Sequence, residues 1–167
     1  MITDWSRSRK SILNIPQEEL PDEITRFRGS FAFLSNMSKA AVNFEGDIYS
    51  CVEAAFQAAK LVNRDERARF IKVKNPVWAR RMGRSIKNFR PDWDEVKLSI
   101  MEILIREKFS NNETLRKKLL ATGTRTIAED NDWGDDFWGT VNGVGQNHLG
   151  RIIMKIRAEL ADAGEFK

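Results

Sequence analysis

The sequence predicts an α+β fold, mainly helical with a small sheet, and three observations carry that expectation. Short apolar runs punctuated by glycine fill the N-terminal third, whereas from Ser50 onward apolar residues recur at helical spacing. Helix-start signals precede later segments, as where Asn75 stands before Pro76. The 167 residues suit a single domain of roughly 100–200 residues. Five Trp and ten Phe can fill its core, and 41% hydrophobic with 31% charged residues is a globular balance.

Taken in order, residues 1–22 read as an N-terminal extension with little periodicity, interrupted by Pro16 and Pro21. "ITRFRGSFAFLSN" and "AVNFEGDIYS" read as short strands joined by turns. "SCVEAAFQAAK" opens the helical part, and "NPVWARRMGRSI" is a helix with Asn75 as N-cap. "DWDEVKLSIMEILIREKF" is a candidate central helix. In it Asp92 and Glu95 stand at capping-box spacing, and Val96, Ile100, Ile103 and Leu104 are joined by Leu98, Met101 and Ile105 over more than one face. "NETLRKKLLATG" is a short helix stopped at Gly123, and "TRTIAE" a short strand joining the sheet. "NHLGRIIMKIRAEL" is a last helix that buries Leu149, Ile152, Ile153, Ile156 and Leu160. Residues 163–167 read as a C-terminal tail.

Composition narrows the chemistry. A single cysteine, Cys51, excludes an internal disulfide, and a single histidine, His148, argues against a zinc site and a Ser-His-Asp triad. No cofactor is expected, and catalysis is expected without a metal, on carboxylates, lysines, tyrosine or backbone donors. No apolar run nears the roughly 18 residues of a membrane span, and "MITDWSRSRK" lacks the apolar core of a secretory signal. A cytoplasmic protein with no membrane partner is expected. Net charge is +4, unevenly spread. Arg64 to Arg90 holds ten basic residues against Asp65 and Glu66, whereas "EDNDWGDD" at 129–136 has five acids and no base. The basic stretch suits a phosphate-bearing partner or, equally, solvated helix faces.

Within "SCVEAAFQAAK", Glu53, Gln57 and Lys60 fall at about 0°, 40° and −20° around a helix, a narrow polar line among Val, Ala, Phe and Leu. A helix apolar nearly all round is buried, so its polar line must meet a cavity, a ligand or paired groups. Two structural readings compete with an active site: Ser50 and Glu53 fit a capping box, and Lys60 can snorkel at a helix end. A second constellation, "DDFWGTVNGVGQNHLG", sets glycines before a helix, where backbone N–H groups and the helix dipole can receive an anion. Glycine loops are also simply turns.

Six ordered segments resemble the YbiA-like family, also called the NADAR superfamily: "FRGSFAFLSN", "VEAAFQAAK", "DWDEVKLSIM" with "KF" downstream, "LLATGTRTIAE", "DDFWG" and "GVGQNHLGRIIMKIR". The resemblance runs from Phe27 to Leu160 and places a YbiA-like domain at 23–162. It implies a mainly helical fold with a small sheet and cleavage of N-glycosidic bonds, without cofactor. The expected partner is a phosphorylated ribosyl or ADP-ribosyl substrate, either a ribosylamino-pyrimidine of riboflavin synthesis or ADP-ribosylated guanine in nucleic acid. Carried over by position, the catalytic set is Glu53, Lys60 and Asp136, with Glu53 and Asp136 as acid–base and charge-stabilising pair. Lys60 serves as amine nucleophile or as positioning group. Phe33, Ser35, Asn36, Trp138 and Asn147 occupy motif positions. Arg28, Gly29, Gln57 and Trp93, from the same segments, complete the expected substrate-binding set. Arg80, Arg81 and Arg84 join Arg28 as candidates for substrate phosphates by charge alone. Ala54 stands where many family members carry His, and Met37 where an aromatic is frequent. The expectation is that Glu53, Lys60 and Asp136 face one desolvated hollow. The competing expectations are a non-catalytic ADP-ribose or nucleotide-binding module, and a nucleic-acid binder working only through Arg64–Arg90.

Overall fold

The computed structural model describes residues 4–165. Residues 1–3 of the expected extension and 166–167 of the expected tail lie outside the described residues. Two compact units arise: the described part of Met1–Ser35 with Asn112–Lys167, and Asn36–Asn111. The elements are β1 (Glu23–Ile24), β2 (Val42–Phe44), β3 (Asp47–Tyr49), α1 (Val52–Ala58), α2 (Arg64–Ile71), α3 (Pro76–Arg84), α4 (Trp93–Ser110), α5 (Glu113–Leu120), β4 (Thr126–Ile127) and α6 (His148–Glu165). The mainly helical α+β reading holds. The strands form two separate two-stranded ladders, one in each unit.

In the first unit β1 runs parallel to β4, with Glu23 opposite Thr126 and Ile24 opposite Ile127. This is the expected pairing of the N-terminal third with "TRTIAE". The strand expected over "FRGSFAFLSN" is instead a 3-10 helix at Gly29–Leu34, burying Phe31, Phe33 and Leu34. Gly29 breaks the extended run. It sits at φ 57°, against a carbonyl so close that a Cβ there would lie 2.3 Å from the Trp5 oxygen. Only glycine takes that turn at that distance without strain. Residues before 23 contribute to this core as well: Trp5, Ile12, Ile15 and Leu20 are buried. The Arg125 guanidinium ties them down by donating to the Pro21 and Gln17 carbonyls at 2.9 and 2.6 Å. Asn112 caps α5 through Leu115 N–H. On α6 Leu149, Ile152, Ile153 and Ile156 are buried as expected, while Leu160 is half-buried.

In the second unit β2 and β3 form an antiparallel hairpin, Val42 facing Tyr49 and Phe44 facing Asp47 across the turn Glu45–Gly46. All seven residues of α1 are buried, and α2, α3 and α4 pack around it. Asn75 caps α3 through Val77 N–H with Pro76 in the first turn, as its sequence requires. The capping box at Asp92 and Glu95 does not form: the Asp92 carboxylate is held by the Arg90 guanidinium at 2.6 and 3.0 Å.

On α4, Lys108 is 1% exposed and donates to Ser38 Oγ at 2.9 Å. Desolvation lowers its pKa from 10.5 to about 7. Above that value the folded state releases a proton that the unfolded chain keeps up to about 10.5. Stability therefore rises with pH through this window, by at most about 1.4 kcal/mol per pH unit. Below pH 7 the gain is lost. Denaturant midpoints measured from pH 7 to 10 should climb more steeply in wild type than in Lys108→Met. Parallel curves would contradict this.

Candidate active site

The helix α1 sets the site. Its N-cap is Cys51, without a side-chain cap. Ser50 Oγ instead donates to the Val73 carbonyl at 2.7 Å. The Ser50–Glu53 capping box is thus not made, which frees the Glu53 carboxylate for other partners. Glu53 is 4% exposed. One oxygen, Oε1, accepts from Gln57 Nε2 at 2.9 Å and from Arg80 Nε at 3.3 Å. Among the described residues no donor reaches Oε2. The Glu53 backbone N–H donates to the Asn36 carbonyl at 3.0 Å, fixing the carboxylate's root. Three constraints therefore hold one buried carboxylate, and one oxygen stays open to a further group.

Lys60 lies beyond the helix. The α-helix ends at Ala58, and the chain continues as a turn in which Lys60 N–H donates to the Gln57 carbonyl at 3.4 Å. The polar line survives this shortening. Lys60 Nζ is 5.1 Å from the Phe89 ring centroid and 5.9 Å from that of Trp93. Trp93 is itself buried and packs on Phe56 at 5.0 Å. Burial pushes the Lys60 ammonium below the ordinary lysine value, Glu53 opposes this, and the Arg84 charge adds to it. Among the described residues this amine has no hydrogen-bond or ion-pair partner. A half-buried, unpaired amine suits nucleophilic attack better than a salt-bridged one does.

Gln57 is held in turn by Gly83 on α3. A Cβ at Gly83 would lie 1.8 Å from Gln57 Oε1, and that oxygen has no hydrogen-bond partner among the described residues. Gly83→Ala must therefore expel the amide and break its bond to Glu53. Overpacking of this kind costs about 1–3 kcal/mol, offset in part by about 1 kcal/mol of helix propensity. Thermal unfolding should show a loss in wild type, and no loss or a gain when Gln57 is already Ala. Equal losses in both backgrounds would refute the contact.

The remaining expected residues fall as follows. Asn36 shares the second unit with Glu53, Gln57, Lys60 and Trp93. Its Nδ2 points to Met101 Sδ at 3.5 Å, while its Oδ1 is buried without a hydrogen bond among the described residues. Arg28, Gly29, Phe33, Ser35, Asp136, Trp138 and Asn147 belong to the first unit. There Phe33 is buried under the Lys118 ammonium, 5.9 Å from its ring centroid, and Ser35 closes the 3-10 helix. Exposed Arg28 lines a cavity of about 590 Å³ with Trp5, Glu23, Arg26 and Phe31. Neither Glu53 nor Lys60 lines it.

The acidic loop sorts its carboxylates. Asp135 Oδ1 accepts the N–H groups of Phe137 and Trp138 at 3.2 and 2.9 Å. Asp130 accepts from Gly143 N–H and Thr140 Oγ1, both at 2.8 Å, and these bonds hold its pKa below the usual carboxylate value. Asp136 is exposed, and its backbone carbonyl accepts from Gln146 N–H at 2.6 Å. Trp138 meets Phe137 edge-on at 5.1 Å. The anion cradle expected before α6 is closed: the N–H groups of Asn147, His148 and Leu149 donate to the carbonyls of Gly139, Phe137 and Trp138. Asn147 Nδ2 donates to the Ile127 carbonyl at 3.0 Å, tying the loop to β4.

Sequence reasoning did not place Arg80 at Glu53, Phe89 over Lys60, or Gly83 under Gln57. Arg80 was expected at a substrate phosphate on charge alone, and it pairs with the carboxylate instead. Among the described residues no group of three or more His, Cys, Asp or Glu is arranged to hold a metal, and no helix is long and apolar enough to cross a membrane.

A NADAR domain model matches residues 23–161, and the chain belongs to that family. It is 33% identical over 150 residues to N-glycosidase YbiA of Shigella flexneri serotype 5b, spanning 87% of this chain and 93% of that relative. A riboflavin biosynthesis protein of Vibrio vulnificus is 31% identical over 148 residues, 87% of this chain but 38% of that longer protein. The fold is similar to the NMR structure of Escherichia coli YbiA, with a TM-score of 0.77 at 29% identity over 95% of this chain and 94% of that one.

Proposed function

We propose that this chain is an N-glycosidase, splitting the bond between a base and the anomeric carbon of a phosphorylated ribose or ADP-ribose. The observation that carries the reading is a buried, half-open carboxylate, Glu53 on α1, acting electrostatically on an unpaired amine of lowered pKa, Lys60, in the turn that follows that helix. Relatives named N-glycosidase support it. Cleavage builds positive charge at the anomeric carbon and leaves a base that needs a proton. Glu53 accepts a proton from the attacking group and returns it to the departing base. Lys60, as the neutral amine, attacks the anomeric carbon. The new C–N bond forms as the base leaves with its bonding electrons, giving a ring-closed glycosylamine. The sugar ring then opens as the C1–O bond breaks and its oxygen takes the remaining amine proton, and water hydrolyses the resulting imine to sugar and free amine. No metal is needed in this scheme. Trp93, which packs beside Lys60, is assigned to substrate.

The test is chromatographic release of free base from two substrates, a phosphorylated ribosylamino-pyrimidine and an oligonucleotide carrying ADP-ribosylated guanine. Release from either supports the reading. Calorimetric binding of ADP-ribose with no release from any ribosyl substrate would make the chain a binding module instead.

A further inference from the structure

We propose that the solvent face of α3 docks single-stranded nucleic acid, at residues other than Glu53 and Lys60. The inference stands independently of the N-glycosidase reading. No acidic residue occurs between Glu66 and Asp92, and the fold sorts the ten cations from Arg64 to Arg90 into two sets. Four are consumed: Arg64 by Asp47, Arg67 by Glu45, Arg80 by Glu53 and Arg90 by Asp92. Six, namely Arg69, Lys72, Lys74, Arg81, Arg84 and Lys87, are exposed and pair with no carboxylate among the described residues. On α3 itself, which carries no acidic residue, the exposed Arg81 and Arg84 lack a carboxylate partner among the described residues and so favour a phosphate-bearing partner.

What distinguishes this patch from an ordinary solvated face is an aromatic side chain set into it. Trp78 is 56% exposed and Val77 62% exposed, with the Arg81 guanidinium 5.5 Å from the Trp78 ring centroid. Around α3, Val77, Arg81 and Arg84 share one line, and Trp78 lies about 100° from it, opposite the buried Ala79 and Gly83. The cationic line is continuous with the site, because Arg80 bonds Glu53 and Arg84 acts electrostatically on Lys60. A strand of unstacked bases meets both features at once: phosphates take the cations, and one base stacks on Trp78. A duplex hides its base faces, so it uses only half of this surface. An acidic protein would use the charge, but the neighbours of Trp78 are cations and not the water-excluding rim of a protein hot spot.

Fluorescence anisotropy of a labelled, unmodified oligodeoxythymidylate tests this with wild type, Trp78→Ala and Arg81→Ala, each checked for unchanged thermal unfolding. Wild type should bind at low salt and weaken steeply as salt rises. Trp78→Ala should lose about 10- to 100-fold in affinity. Arg81→Ala should flatten the slope of log affinity against log salt by about 0.7. Polyglutamate at matched charge should compete poorly. Absence of binding at low salt, equal affinity in Trp78→Ala, or full displacement by polyglutamate would each overturn the proposal. Because the strand carries no ribosyl leaving group, none of these outcomes bears on base release.

Discussion

Glu53→Gln should reduce base release by about 10²–10⁴-fold, the usual worth of a general acid–base group, while the protein stays folded. The amide keeps an oxygen that can accept from Gln57 and Arg80, so packing on the buried face of α1 is preserved. What disappears is the group that exchanges a proton. The stability cost should be about 1 kcal/mol, because Arg80 loses a charged acceptor while its side chain remains 36% exposed to water. Circular dichroism melts read beside product chromatography separate the two effects. Had Glu53 served only as a helix cap, activity would persist while stability fell. The uncapped geometry at Ser50 and Cys51 excludes the capping role. Wild-type turnover in Glu53→Gln would remove the carboxylate from the mechanism.

Lys60→Arg should lose at least as much activity, although it keeps a positive charge beside Phe89 and Trp93. A guanidinium stays protonated and cannot attack carbon as a neutral amine. The pH profile gives the sign. Because burial lowers the Lys60 pKa from 10.5, the reactive neutral form grows as pH rises through a value below that. The alkaline rise of kcat/KM should therefore come earlier than an exposed lysine allows. Lys60→Arg should lack this limb. An arginine variant with wild-type turnover and an unchanged profile would show that charge alone is required.

The buried helix was legible in the sequence because Ala54, Ala55, Ala58 and Ala59 leave no room for a solvated face, and all are fully buried. The cap at Asn75 was legible because its partner, Val77 N–H, lies within one turn, and the last helix because its apolar periodicity is itself local. Failures came where a side chain's partner is distant in the chain. Ser50 looked like a capping residue until Val73 took it. The Arg80–Glu53 bond joins residues 27 apart, and no spacing rule announces it. At Phe31 and Phe33 apolar alternation imitated a strand, and the Gly29 turn against the Trp5 carbonyl made it a 3-10 helix. The glycine loop before α6 resembled an anion cradle, but loop closure spends its N–H groups on loop carbonyls. Lys108 reads as a surface lysine on a long helix, yet the fold encloses it.

The central claim, that the amine of Lys60 meets the anomeric carbon while Glu53 moves the proton, is tested most directly by trapping. Protein turning over its substrate is treated with borohydride, which reduces an imine to a stable secondary amine. Peptide mass mapping should then find the sugar on Lys60 in wild type and no sugar-bearing peptide in Lys60→Arg. Active enzyme that yields no adduct, or an adduct on another lysine that persists in Lys60→Arg, would contradict the account.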